Sequence, residues 1–226
     1  MHSFSSKIVL FALLIFAVGC KKNQDQQGVI ASEIKNEIKY ASGLSIYDYG
    51  DYSIVKVSNP WPNATKEYTY ILKEKEAKVP DSLRQFTTIQ VPIKSIVVTS
   101  TTHIPSLEML GVEKTLVGFP NLDYISSETV RALIDAGKIK ELGNNQTLNT
   151  EVIIDVAPDV FIGYGIDNKN PTLDNLEKSG LKIMLNGDWN EQTPLGKAEW
   201  IKFFGYLYSL DEKADQIFSD IEKEYN

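Results

Sequence analysis

Apolar positions along this chain change their period several times, and each change marks a different kind of element. The first is an unbroken run, residues 8–19 (IVLFALLIFAVG), lying behind Lys7 and directly ahead of Cys20. It is too short to cross a bilayer, which takes roughly 20 apolar residues, and suits the core of a secretory leader. Residues 21–27 (KKNQDQQ) have no apolar period and read as a flexible tether, and residues 33–40 are compatible with a helix. From Leu44 to Lys75 the pattern alternates, which predicts strands over 52–57 and 68–73. The proline- and asparagine-rich stretch NPWPNAT between them is a turn signal, so an antiparallel pair is the simplest arrangement.

Beyond Pro92 short apolar runs alternate with helical periods. Residues 94–99 predict a strand covered on both faces, followed by the loop Ser100–Pro105 and a short helix over 106–110 closed by Gly111. A strand over 115–119 comes next, then a helix capped by Ser126 or Ser127 and stopped by Gly137. Thr150 is placed to cap a third short helix ended by Pro158, with a strand over 159–162 after it. Pro171 opens a helix reaching Gly180, residues 182–185 form a strand, and 186–192 a loop. Residues 197–208 read as an amphipathic helix, with a break near Ser209-Leu210 and a further helix from Asp211.

This rhythm predicts an α/β fold: a mostly parallel sheet flanked by helices, preceded by an antiparallel hairpin region and ending in a long helix. Ligands bind such sheets beyond the carboxyl ends of the strands. The loops there carry Thr102, His103, Asp123, Tyr124, Tyr164, Trp189, Asn190 and Glu191. Large flat rings at Tyr124, Tyr164 and Trp189 suit the face of a macrocycle or an aromatic ligand, although each ring also suits packing against its own loop.

Charge and composition narrow the function. A net charge of −7 with no basic stripe argues against nucleic acid. Cys20 is the one cysteine, so neither a disulfide nor a thiolate metal site is available to the rest of the chain, and stability must come from core packing. His103 is the one histidine beyond the leader. A dedicated metal site needs several donors, and Asp123 and Asp188 are the candidate neighbours. No cofactor is expected. Gly163–Asn168 begins like a dinucleotide loop but has Asn168 where a glycine is needed, and G-x-S-x-G, H-E-x-x-H and P-loop patterns are missing. Enzymatic catalysis therefore has little footing.

Two resemblances add to this. Gly19-Cys20 at the end of the apolar run resembles the bacterial lipoprotein cleavage box, with Ala17 where leucine is usual. It implies cleavage before Cys20, acylation of its thiol and a lipid-tethered protein facing the periplasm or cell exterior. An ordinary secretory leader with an incidental cysteine is the competing reading. The second resemblance runs from about Ile93 to Tyr225 and rests on SIVVTSTTHIPSLEMLGVEKTLVGF, DYI, LNTEVIIDVAPDVFIGY, NLEKSGLKIML and EKADQIFSDIEKEY, in that order and spacing. This segment is similar to the amino-terminal lobe of an iron-siderophore/cobalamin-type (class III) periplasmic substrate-binding protein. The resemblance implies a lobe holding half of an iron-siderophore, haem or cobalamin ligand, a helix crossing to a second lobe, and docking on an ABC importer.

Glu151, in Asn149-Thr150-Glu151, falls where the family places a carboxylate that pairs with the importer's membrane subunits. A favourable charge in the first turn of a helix is its plainer role. Because the chain stops within the helix that begins at Asp211, it reads as truncated after the first lobe. The expected organisation is a leader (1–19), the lipidated cysteine and tether (20–40), a β-hairpin extension (41–91), the ligand-binding lobe (92–210) and the start of an inter-lobe helix (211–226). The expected function is solute capture for import. A scaffold lipoprotein that reuses the lobe is the alternative from another class, and divalent-metal binding a weaker one.

Overall fold

A computed structural model of the chain describes residues 34–164 and 170–225. The expectations for the leader, Cys20 and the first part of the tether fall outside the described residues, as does the second half of the glycine-containing loop after Gly163.

The extension is a four-stranded sheet in the order β1-β2-β3-β4, formed by Leu44–Asp48, Tyr52–Val57, Tyr68–Lys73 and Thr87–Gln90. In β2 the alternation is literal: Ser53, Val55 and Val57 point inward, while Tyr52, Ile54 and Lys56 are half-exposed. The pair predicted across the proline-rich turn is present, with β2 antiparallel to β3. Two further strands join it, β1 antiparallel to β2 and β4 parallel to β3.

Residues 34–40 form no helix. Asn36 bridges to Tyr47, and the amides of Lys39, Tyr40 and Ala41 all donate to the carboxylate of Glu199 at 2.8, 2.6 and 2.8 Å. Those donors are spent far along the chain, which leaves none for a helical ladder. The segment read as the end of a free tether is thus a strap on the lobe.

The lobe is built on a parallel sheet in the order β11-β10-β5-β6-β7. Its strands are β5 (Ile96–Val98), β6 (Leu116–Phe119), β7 (Lys140–Glu141), β10 (Val160–Gly163) and β11 (Ile183–Leu185), with a small β8–β9 hairpin (Gly143–Asn144, Thr147–Leu148) after β7. Helices α1 (His103–Leu110), α2 (Glu128–Asp135), α3 (Thr150–Val156), α4 (Pro171–Lys178), α5 (Pro194–Glu199), α6 (Ile201–Leu207) and α7 (Asp211–Tyr225) complete it. Side chains alternate between two cores. Ile96, Val98, Ile162 and Met184 pack with residues of α1, α6 and α7, whereas Val97, Phe161, Ile183 and Leu185 pack with Ile153 of α3 and Leu173 and Leu176 of α4. Edge strand β11 is sealed by the extension, because the amide of Leu185 donates to the buried Tyr70 hydroxyl at 3.0 Å.

Local chemistry sets the helix ends. Ser127 caps α2 by accepting from the Val130 amide, and Gly111 closes α1 in the left-handed region at φ 72°. At α3 the cap is Asn149, which accepts from the Val152 amide, and Thr150 is already helical. Helix α1 starts at His103 rather than at Ser106, because Pro105 lies in its first turn, where a missing N–H leaves nothing unpaired.

The stretch 197–208 is not one amphipathic helix. It divides at Trp200 into α5 and α6, and every residue of α6 except Lys202 is buried. Helix α6 contacts α1, α5 and α7, and Gly205 lets α7 close in, since a Cβ there would stand 2.5 Å from the Cβ of Ala214. Gly205→Ala should therefore force the two helices apart and destabilise by about 1–3 kcal/mol, read as a lower urea midpoint with an unchanged slope.

Candidate ligand-binding site

Strand β5 has β6 on one side and β10 on the other, so the loops leaving β5 and β10 diverge. Thr99, the first residue past β5, stitches the two strand ends together. Its hydroxyl donates to the Ile162 carbonyl at 3.1 Å and accepts from the Tyr164 amide at 3.3 Å. Its carbonyl accepts from the Asn145 side-chain amide at 3.2 Å. Asn145 sits at the tip of the β8–β9 hairpin, which the Asn144 side chain tightens by accepting from the amides of Gln146 and Thr147.

Around Thr99 lies a cavity of about 150 Å³ at the carboxyl ends of β5, β6 and β10. Phe119 and Pro120 at the end of β6 supply its apolar wall, and Ser100 and Thr101 supply hydroxyls. Tyr124, 71% exposed, and half-buried Tyr164 bring two phenol rings to it. Such a lining offers flat apolar faces, hydroxyls and one amide, and it is suited to holding a molecule rather than transforming one. A larger cavity of about 280 Å³ lies at the seam of the extension and α4, lined by Trp61, Tyr68 and Leu173 among others, away from these strand ends.

The predicted site residues separate into groups. Tyr124 and Tyr164 converge on the strand-end cavity. Thr102 is exposed on the same turn, its hydroxyl 2.8 Å from that of Ser100. His103 lies not in a loop but fully buried within α1, its ring 5.5 Å from that of Phe204 and its Nε2 3.7 Å from Asp188 Oδ1, and it does not line the cavity. Trp189 and Asn190 follow edge strand β11 and do not line the cavity. Trp189 packs against the second core, and Asn190 donates to the Asn59 carbonyl at 3.2 Å. Glu151 is exposed in the first turn of α3, one turn ahead of exposed Ile154.

Among the described residues no group of three or more histidine, cysteine, aspartate or glutamate side chains is placed to hold a metal ion. Burial pushes the Asp188 carboxyl up, but His103, the Thr102 hydroxyl and the Trp189 amide outweigh it and hold the group below the usual carboxylate range. Thr99 and Asn145 escaped the sequence reading. By its apolar run Thr99 reads as the end of a strand, and the polar cluster Asn144-Asn145-Gln146 is the sole sequence signal for the hairpin.

Residues 96–226 match the profile of a family described as periplasmic binding protein, which covers more than half of the chain. The chain belongs to the periplasmic binding protein family. Its members are solute-binding proteins, not enzymes. This binding protein is also similar to two proteins of Methanocaldococcus jannaschii. One, uncharacterized lipoprotein MJ0878, is 22% identical over 86% of this chain and 51% of its own length. The other, uncharacterized lipoprotein MJ0872, is 26% identical over 83% of this chain and 48% of its own. The chain thus spans about half the length of the curated relatives it matches, and in both the similarity reaches beyond the family segment into the extension. A crystal structure of a periplasmic heme binding protein from Pseudomonas aeruginosa is similar at 20% identity with a TM-score of 0.46, over 58% of this chain and 44% of that one.

Proposed function

We propose that this binding protein is the ligand-capturing lobe of a lipid-anchored receptor that delivers an iron complex (a siderophore or haem) or cobalamin to an ABC importer. The observation that carries the reading is the strand-end cavity, where two phenol rings stand beside the hydroxyls of Ser100 and Thr101 and the Asn145 amide. Aromatic faces cover a flat or ring-rich ligand, and the short polar groups fix its orientation. Binding follows from contact alone, with no covalent step. Titration of the chain with cyanocobalamin, haemin and ferrichrome tests it. At least one probe should bind, and Tyr124→Ala combined with Tyr164→Ala should weaken it by about 10-fold or more, the equivalent of about 1.4 kcal/mol. Failure of all three probes to bind overturns the reading.

Membership of the family and the lipoprotein names of the relatives support an anchor at Cys20. Each buried methylene of an acyl chain contributes about 0.8 kcal/mol, and two signals hold a protein at a membrane stably. Cys20→Ala in cells should move the protein from the membrane to the soluble fraction and abolish fatty-acid labelling; an unchanged distribution would remove Cys20 from the account. Glu151, exposed on α3, is the proposed contact to the importer, where a rim charge governs orientation and association rate more than affinity.

A further inference from the structure

The loop after β11, residues 186–191, is gripped from two sides by groups to which no role has yet been given. On one side stands the extension. The Glu191 carboxylate accepts from the Ser42 amide and hydroxyl, both at 3.0 Å, and from the Gly43 amide at 2.9 Å. Asn190 donates to the Asn59 carbonyl, and Gly187 lies so close to the turn before β3 that a Cβ would stand 2.9 Å from the Asn59 oxygen and 3.1 Å from Pro60 Cα.

On the other side stands the first turn of α1. Asp188 is 8% exposed and its Oδ1 lies 3.7 Å from Nε2 of the fully buried His103. His103 directly follows Thr102, whose hydroxyl lies 2.8 Å from the Ser100 hydroxyl, which lines the strand-end cavity. The path therefore runs from the turn before β3, through the loop to Asp188, across 3.7 Å to His103, and from there along the backbone to the turn that shapes the cavity. Both ring nitrogens of His103, Oδ1 of Asp188 and the side-chain nitrogen of Asn186 are buried without a hydrogen-bond partner among the described residues. Buried polar groups without partners are costly in a low-dielectric interior, so the packing that holds them in place matters to the local structure.

We propose that Asp188 is a positioning residue of the binding site, through which the docked extension sets the shape of the turn from Ser100 to Thr102. The proposal rests on the ligand-site reading above for its consequence, but not for its geometry. The extension is then part of the receptor's specificity: it braces a loop that in turn braces the cavity rim, and neither Asp188 nor the extension touches ligand. Coupling of this kind travels through contiguous packed and hydrogen-bonded groups, and it has to be shown energetically.

The test is amide hydrogen exchange on the full chain carrying Asp188→Asn, Gly187→Ala, or both, with Asn190→Ala as a milder break on the extension side. Each single variant should speed exchange at Thr101, Thr102 and His103 by about 10-fold or more while leaving the amide of Phe218 in α7 unchanged. The double variant should add little to the larger single effect, because both changes cut one path. Exchange that rises only at residues 187–190 in Gly187→Ala and Asn190→Ala, with the Ser100–Thr102 turn unaffected, overturns the proposal. So do effects of Asp188→Asn and Gly187→Ala that simply add. Titrating the same variants with cyanocobalamin, haemin and ferrichrome separates the two readings: altered exchange with no probe bound by any form supports the brace and counts against the ligand assignment alone.

Discussion

Glu199→Ala should lower the stability of the chain by about 3 kcal/mol or more in urea unfolding, which in a domain of this size corresponds to a melting temperature roughly 6–12 °C lower. Glu199 has no exposed surface and collects three successive amides of the strap, those of Lys39, Tyr40 and Ala41. Lys202 lies 3.7 Å away and supplies the nearby positive charge. Removing the carboxylate strands those amides at the edge of the core and leaves Lys202 to Asp215 and the Glu37 carbonyl, so the loss exceeds that of one ordinary hydrogen bond. Glu199→Gln should fall between the two forms, because its amide nitrogen faces N–H donors it cannot accept from. A loss below about 1 kcal/mol for Glu199→Ala would mean that the strap is held by the Lys39 and Tyr40 side chains on Glu222 of α7 instead.

Trp200→Ala should cost about 3–5 kcal/mol, the range for truncating a large aromatic in a tight interior. Trp200 is 1% exposed, sits at the junction of α5 and α6, and lies 5.8 Å from the ring of Phe203. Its indole N–H donates to Glu191 at 3.2 Å, so it also braces the carboxylate that holds Ser42 and Gly43. Trp200→Phe separates these contributions. It keeps most of the packing and loses the bond, and should cost about 1–2 kcal/mol. If Phe proves as damaging as Ala, the hydrogen bond outweighs the packing and the core here is looser than its burial implies.

What the sequence disclosed and what it hid divide along the range of the interactions involved. Strands β2, β3, β5, β6, β10 and β11 were legible because their apolar periods are local, and Gly111 was legible because caps act within one turn, whereas the α2 cap narrowed only to Ser126 or Ser127, of which the structure uses Ser127. The choice of Asn149 over Thr150 was not, since two adjacent polar residues compete and only the geometry of the Val152 amide decides. The strap was invisible for a different reason. Its amides pair with Glu191 and Glu199 about 150 positions away, and no pattern within residues 34–43 announces that.

Helix α6 reads as amphipathic because Lys202 breaks its apolar run, yet that side chain reaches out to Asp215 and the Glu37 carbonyl from an otherwise enclosed helix. His103 was misplaced because Pro105 hid the start of α1. Strand-end position sufficed to bring Tyr124 and Tyr164 to the cavity. Thr99 and Asn145 needed the fold, for their bonds join segments that are remote in sequence.

The central claim is that a ligand is held at the carboxyl ends of β5, β6 and β10. Backbone amide chemical shifts of the chain, recorded with and without the probe that binds best among cyanocobalamin, haemin and ferrichrome, test it most directly. The account predicts the largest changes at Ser100, Thr101, Tyr124, Asn145 and Tyr164, with α7 unmoved. Changes centred instead on Trp61, Tyr68 and Leu173, at the seam of the extension and α4, would contradict it.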